Sequence, residues 1–149
     1  KMKTTQKKPR GIRNNNPLNI RSTERIWLGQ CGTDAGGFCV FVNRVYAYRA
    51  AFRILYTYRK RYHLTTINEI IDRWAPPSEN DTKSYVQFVC DTLNTFKTRS
   101  FWVGDRDPIE KERNIDLLSA MAVMESGWNK EIQREEIEQG YNLAFPEEL

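Results

Sequence analysis

Apolar and polar positions follow two different periods along the chain, and the change occurs near residue 46. Before it, residues 27–29 and 38–42 are short apolar segments that predict two strands, joined as a loose hairpin through the glycine-rich stretch 32–37. After it, apolar residues recur every three or four positions, the spacing of one helix face. The pattern predicts a mostly helical α+β domain in which a small β-hairpin lobe packs beside several short helices.

Boundary signals divide the helical part into segments. Its first apolar stripe comprises Ala47, Ala50, Ala51, Ile54, Leu55 and Tyr58. Thr66 and Glu69 have the spacing of a capping box and predict a second helix, which the prolines at 76 and 77 end. Residues 78–81 supply the next N-cap, and the Asp107-Pro108 pair begins another helix. A last, weak helix is expected around Tyr141.

One helix carries a carboxyl group on its apolar face. The positions i, i+3, i+4 and i+7 of its stripe are Leu118, Met121, Ala122 and Glu125. Gly127 follows as a left-handed C-cap, which places Glu125 on the last turn of a buried helix. Burial there disfavours the charged form and raises the pKa of Glu125 toward the range of a general acid. The competing interpretation is a surface glutamate that ends an ordinary core helix.

Composition narrows the class of protein. The chain has 149 residues, 40% of them hydrophobic and 28% charged, so it is long enough to bury a core without disulfides or metal ions. The sequence has no long apolar run, so we expect no stable insertion into a membrane. We expect a flexible basic arm at residues 1–9, which lacks the apolar core of a signal peptide, and a single domain at 10–149. We expect a monomer, and the sequence leaves its location undetermined.

The charge of the chain favours an anionic partner without identifying it. The formal net charge is +4 and the pI is about 9.0, with much of the excess in the first 13 residues. Nucleic acid, an anionic membrane and an acidic bacterial wall all fit such a charge. Because the arm is short and the rest of the chain is nearly balanced, we expect no nucleic-acid partner.

Cysteine and histidine residues give no signal of a metal or cofactor. Cys31, Cys39 and Cys90 form no CxxC pair, and His63 is the single histidine. We therefore expect no metal, no cofactor and three small core cysteines. A cross-strand Cys31–Cys39 disulfide is the alternative if the protein works outside a cytosol.

An asparagine-rich stretch precedes the predicted hairpin. Four asparagines and a proline fall within residues 14–19, which predicts an ordered turn or a polar loop. Their amides suit sugar hydroxyls and N-acetyl groups, but asparagine clusters also satisfy their own backbone. Trp27 either stacks on a sugar or a base, or belongs to the core. A cleft beside this lobe with Glu125 at its floor has the general shape of a glycan-cleaving site.

Two sets of segments resemble known families. The first set is Arg10-Gly-Ile-Arg-Asn-Asn-Asn-Pro-Leu-Asn-Ile-Arg21, Trp27-Leu-Gly29, residues 38–41, Arg49-Ala50, Arg73-Trp-Ala-Pro-Pro-Ser-Glu-Asn-Asp-Thr82 and Tyr85. It resembles the phage and prophage structural-protein family of lysozyme-like lytic proteins, over most of residues 10–143. The second, Ala120-Met-Ala-Val-Met-Glu-Ser-Gly-Trp128, resembles the catalytic-glutamate helix of lytic transglycosylases and of flagellar-type glucosaminidases.

The order of these segments differs from that in the transglycosylases. There the glutamate helix precedes the asparagine-rich segment of the β-lobe, whereas here it follows. We infer a circular permutation of the lysozyme core, which still brings Glu125 opposite the β-lobe. The chain departs from the family pattern at Leu18, where glycine is usual, and at Tyr46-Ala-Tyr48, which lacks the glycine often found before Arg49. These departures bear on the β-lobe and leave Glu125 untouched.

The resemblance implies cleavage of the β-1,4 bond between N-acetylmuramic acid and N-acetylglucosamine in peptidoglycan glycan strands. Glu125 would protonate the leaving oxygen. If the muramoyl 6-hydroxyl attacks C1, the same glutamate then serves as base, and we favour this single-glutamate transglycosylase reaction. A hydrolytic lysozyme more often uses a second carboxylate, for which Asp34, Glu79 and Asp81 are the candidates. Turn formation by Asp34 and helix initiation by Glu79 and Asp81 are the competing roles.

The candidates for substrate binding are Asn15, Asn16, Asn19, Tyr85, Glu79 and Asp81. Trp74 either lines the cleft or completes the apolar stripe of its helix. The alternative function is a non-catalytic, phage-derived structural or cell-wall-binding protein. An amide-cleaving endopeptidase would require a zinc cluster or a Cys/His pair, and His63 has no such neighbours in the sequence.

Overall fold

Helix α5 is the centre of the fold, and most of the other helices pack against it. A computed structural model describes residues 7–147. In chain order the elements are α1 (Arg10–Arg13), β1 (Gln30–Thr33), β2 (Cys39–Phe41), α2 (Arg44–Tyr62), α3 (Ile67–Trp74), α4 (Thr82–Leu93), α5 (Pro108–Ser126) and α6 (Arg134–Ala144). The prediction of a mostly helical α+β fold with a small hairpin is therefore confirmed. The lysozyme-like core and its circular permutation remain predictions.

The hairpin begins later in the chain than the apolar pattern predicts. β1 and β2 pair antiparallel, with Gly32 opposite Val40 and a bulge between Gln30 and Gly32. The predicted strand at residues 27–29 is wrong, because Gly29 has φ +78° and turns the chain there. Trp27 is buried in the core, which decides between the two roles considered for it.

The three cysteines are free thiols. Cys39 and Cys90 are buried as predicted, but Cys31 lies at the bulge and is exposed, so the prediction of a core position was wrong for it. Cys39 faces Thr33 across the hairpin rather than Cys31. This register explains why the strands do not bring the two thiols together as partners.

Helix boundaries follow the capping signals of the sequence. Thr66 and Glu69 form the complete capping box at the start of α3, with each side chain accepting from the other residue's backbone N–H. Asp107 caps α5 through the N–H groups of Ile109 and Glu110, and Pro108 occupies the first turn. Both helices therefore begin where the sequence predicts them.

The apolar stripe of α5 forms the middle of the core. Leu118, Met121 and Ala122 are fully buried, as is most of the helix between Asn114 and Val123. Glu125 lies on the last turn, as predicted. Gly127 ends the helix with the expected positive φ of +79°, but its ψ of 172° is extended rather than left-handed helical, so the chain leaves the helix at once.

Residues 10–43 form what we call the N-terminal lobe, which packs on the C-terminal end of α5. Leu18 and Ile20 anchor it in the core. Most of the predicted arm at residues 1–9 lies outside the described residues. Within 7–147, no helix is both long and apolar enough to cross a membrane.

Candidate active site

Glu125 lies at a cleft of about 390 Å³ between the N-terminal lobe and the helices. The lobe lines it with Arg10, Leu18, Asn19, Ile20, Arg21 and Phe38, and the helical side lines it with Ile54, Tyr58, Trp74, Ala75, Pro76, Glu79 and Asn80. The carboxyl group is mostly buried in this setting. The cleft thus brings one acidic group together with polar, aromatic and cationic side chains.

Three side chains donate hydrogen bonds to the Glu125 carboxyl group. Trp74 Nε1 and Tyr85 Oη both donate to Oε2, at 3.1 and 3.0 Å. Asn19 Nδ2 lies 3.4 Å from Oε1 and 3.1 Å from the Glu125 carbonyl oxygen. Oε2 therefore holds two short hydrogen bonds, whereas Oε1 has one long contact and the greater remaining capacity to carry a proton.

The pKa of Glu125 is raised above its ordinary value. Burial is the largest cause, because it disfavours the charged form of the carboxyl group. The hydrogen bonds from Tyr85, Trp74 and Asn19 oppose it, as does the positive charge of Arg10. The pKa of Tyr85 is also raised, by its own burial and then by the negative charge of Glu125, so its hydroxyl remains a donor.

The C-terminal end of α5 fixes the loop that carries Asn19. Ser126 Oγ donates to the Pro17 carbonyl at 2.7 Å, and the Asn19 side-chain amide donates to the backbone carbonyl of Glu125. Gly11 approaches so closely that a Cβ there would lie 2.2 Å from Ser126 Oγ. Helix α5 and the asparagine-rich loop are therefore joined by two hydrogen bonds and a close backbone approach.

The two aromatic donors come from the ends of neighbouring helices. Trp74 is the last residue of α3, whose buried Ile67, Ile70 and Ile71 orient it toward the core. Its ring packs partly against that core while its indole N–H reaches Glu125, so it has both of the roles considered for it. Tyr85 lies one turn into α4, buried beside α5, where its hydroxyl meets the carboxyl group.

The three candidates for a second carboxylate lie in different places. Asp34 closes the hairpin turn by accepting from the N–H groups of Gly36 and Phe38, and the Phe38 bond lowers its pKa. Asp81 caps α4 through Ser84, whose side chain lowers the pKa of Asp81. Glu79 alone among the three lines the cleft, and it is exposed at the edge.

The proposed asparagines divide into one cleft residue and two that support the loop. Asn15 has φ +50° and donates to the Phe41 carbonyl, whereas Asn16 is fully buried and binds the backbone of Ile20 and Cys39. Only Asn19, also at positive φ, reaches Glu125. Asparagine tolerates this left-handed conformation better than most residues, which gives the cluster a backbone role.

Several cleft residues carried no signal that singled them out in the sequence. Arg10 and Arg21 both stack on Phe38, with the guanidinium carbon 3.6 and 4.5 Å from the ring centroid. Tyr58 belongs to the apolar stripe of α2 and reaches the cleft from there. The basic residues flanking the asparagines were the available clue to this cationic wall. Within residues 7–147, no three His, Cys, Asp or Glu side chains are grouped closely enough to hold a metal ion.

Fold and site together define a mostly helical α+β domain with a protonatable carboxyl group at the floor of a polar cleft. No protein-family model matches the chain. It is 36% identical over 140 residues to Protein P5 of Pseudoalteromonas phage PM2, and the alignment covers 91% of this chain and 82% of that protein. The chain therefore belongs to the family of this phage protein. The name Protein P5 states no activity, so the function is argued from the site.

Proposed function

We propose that the protein is a peptidoglycan-cleaving glycosidase of the lytic transglycosylase or muramidase type. Its substrate would be the β-1,4 bond between N-acetylmuramic acid and N-acetylglucosamine. The observation that carries the proposal is the setting of Glu125, a mostly buried carboxyl group with a raised pKa that opens on a cleft. A general acid for glycoside cleavage requires such a group.

Glu125 serves as both acid and base in the proposed mechanism. The protonated carboxyl group donates its proton to the glycosidic oxygen as the bond from that oxygen to C1 breaks. Because Oε2 already accepts from Trp74 and Tyr85, Oε1 is the oxygen that carries the proton. The resulting carboxylate then takes a proton from the attacking oxygen, which is the muramoyl 6-hydroxyl in a transglycosylase and water in a hydrolase.

We favour the transglycosylase form. Asp34 and Asp81 are used in a turn and a helix cap, and neither lines the cleft. Glu79 does line it, but as an exposed group at the edge. A reaction that needs one carboxyl group therefore fits the residues present better than one that needs two.

Digestion of purified peptidoglycan by the protein and by Glu125→Gln, followed by mass spectrometry of the fragments, tests this proposal. We expect fragments ending in 1,6-anhydro-muramic acid from the parent protein and a loss of at least about a hundredfold in rate for Glu125→Gln, the usual scale for a general acid. Reducing ends instead of anhydro ends would make the protein a hydrolase and direct attention to Glu79. Glu24→Gln, which changes an exposed glutamate without a side-chain hydrogen bond to the described residues, is the matched control.

A second candidate function has its own support. All three donors to Glu125 belong to the protein, and they join α3, α4 and α5 to the N-terminal lobe. A carboxyl group in that position also suits a structural brace in a non-catalytic, phage-derived structural or wall-binding protein. Release of identical fragments, or of none, by the parent protein and Glu125→Gln would favour this function.

A further inference from the structure

A pair of arginines forms one wall of the cleft. Arg10 begins α1 and Arg21 follows the asparagine-rich loop, and both side chains meet at the Phe38 ring. Phe38 is itself buried, and its backbone pairs with that of Arg21 in an antiparallel bridge. The ring thus brings two exposed cationic groups together beside the lobe edge.

Neither guanidinium group forms an ion pair within residues 7–147. No carboxylate in that part of the chain lies within ion-pair distance of Arg10 or Arg21, whereas Arg44, Arg113 and Arg134 all have such partners. Stacking occupies the flat face of a guanidinium group and leaves its N–H edges available. Arg10 Nε makes one long contact with Asn19, and the terminal N–H groups of both arginines make no side-chain hydrogen bond within the described residues. The pair therefore has unused capacity for an anion.

The position of the arginine pair relative to Glu125 indicates which part of a bound substrate would carry this anion. Arg10 Nε lies 3.5 Å from Asn19 Oδ1, and the amide nitrogen of the same side chain contacts Glu125. The Asn19 amide thus lies between Arg10 and Glu125, so an anion bound by Arg10 would lie on the Glu125 side of the cleft. On a peptidoglycan strand, carboxylates close to the cleaved bond are attached through the lactyl ether of the muramoyl residue.

We propose that Arg10 and Arg21, stacked on Phe38, form a subsite for a carboxylate carried by the lactyl group of the muramoyl residue. This inference rests on the proposed function. Two sources share the chemistry: the lactyl carboxylate itself, where the stem peptide has been removed, and the carboxylates of an attached stem peptide. The subsite distinguishes peptidoglycan from neutral glycans of the same linkage, such as chitin oligosaccharides.

The test measures binding of soluble glycan strands to the Glu125→Gln protein by calorimetry, so that cleavage does not interfere. Three strand preparations are compared: strands with stem peptides, strands stripped of peptides by an amidase, and strands whose carboxylates are converted to neutral amides. We expect the amidated strands to bind about tenfold more weakly, the scale of two exposed ion pairs. The carboxylate-bearing preparation that binds more tightly identifies the source.

Variants in the Glu125→Gln background assign the preference to the arginine pair. Arg10→Gln with Arg21→Gln should bind all three preparations equally weakly, while Arg10→Lys with Arg21→Lys should retain part of the preference because its charge remains. Arg13→Gln is the matched control, since Arg13 lies on the same helix but does not line the cleft. Melting temperatures of all variants verify that the fold is retained.

Several outcomes would overturn the subsite. They are equal binding of amidated and charged strands, an equal loss of affinity in Arg13→Gln, absence of binding to every strand, and tighter arginine-dependent binding of single-stranded DNA. Digestion by the parent protein is scored separately. Cleavage without a carboxylate preference would reject the subsite alone, whereas a preference without cleavage would reject the glycosidase and leave an anion site in a wall-binding protein.

Discussion

At the scale of single residues, the chemistry of the site is a balance acting on one carboxyl group. Burial raises the pKa of Glu125, and three hydrogen-bond donors together with the charge of Arg10 limit the rise. A general acid requires this balance, because a carboxyl group that ionises too readily has no proton to give at working pH. Tyr85 is the first of the opposing groups and is itself buried.

Tyr85→Phe should raise the pKa of Glu125 further. The substitution removes a donor that stabilises the carboxylate at 3.0 Å and leaves the ring in place. Carbon-13 NMR titration of labelled glutamate side chains measures this shift directly. If Glu125 is the acid, the alkaline limb of the pH–rate profile should move to higher pH in parallel.

A hydroxyl removed elsewhere provides the control for this experiment. The Tyr56 ring packs on Phe145, and its hydroxyl makes no hydrogen bond to the described residues. Tyr56→Phe should leave the Glu125 titration unchanged. A pKa of Glu125 that falls or stays constant in Tyr85→Phe would contradict the role given to the Tyr85 hydrogen bond.

At the scale of elements, the asparagine-rich loop determines where the lobe meets α5. Asn16 accepts from the Ile20 N–H and donates to the carbonyls of Ile20 and Cys39, each at 3.0 Å. One buried side chain thus ties the loop to itself and to β2. This arrangement places Asn19, three residues later, against the end of α5.

Asn16→Ala should destabilise the fold by about 3 kcal/mol, because it leaves buried backbone groups of the loop without their partners. Urea denaturation measures the loss. Asn68→Ala, which removes an exposed amide without a side-chain hydrogen bond to the described residues, should change stability by less than about 0.5 kcal/mol. Equal effects of the two substitutions would show that Asn16 does not brace the loop.

The elements also show which parts of the fold the sequence predicts. The position of Glu125 on the last turn of α5 and the capping box of α3 depend on residues within one or two helical turns, so local periodicity and spacing predict them. The register of the hairpin depends on the turn at Gly29 and on a bulge in β1. The alternation of apolar and polar residues does not reveal either feature. The predicted strand at residues 27–29 failed for this reason.

The contacts of the site show a second limit on what the sequence predicts. Trp74 and Tyr85 lie 51 and 40 positions from Glu125, and their convergence on one oxygen is set by the packing of α3 and α4. The sequence shows that both rings belong near the core or the cleft, but it contains no local signal that joins them. The charges of Arg10 and Arg21 are visible in the sequence, but their shared contact with Phe38 is not, because it too depends on how the lobe folds.

At the scale of the whole molecule, the site carries a cost in folding stability. A carboxyl group whose pKa is higher in the folded than in the unfolded protein makes its full contribution to the free energy of unfolding only while it is protonated. That contribution is present below the pKa of the unfolded state and is lost as pH rises through the raised pKa of Glu125. Above its raised pKa, Glu125 is therefore a mostly buried charge at the junction of α3, α4, α5 and the lobe, which opposes folding.

Glu125→Gln should accordingly gain stability relative to the parent protein as pH rises above 4.5, the ordinary pKa of glutamate. Glutamine accepts the hydrogen bonds of Trp74 and Tyr85 through its amide oxygen and does not ionise, so the free energies of unfolding should diverge through the titration of Glu125. Urea denaturation at several pH values measures the difference, and Glu24→Gln should show no such divergence because its side chain is exposed. A difference that is constant with pH would mean that burial does not destabilise the Glu125 carboxylate, and the general-acid assignment would lose its physical basis.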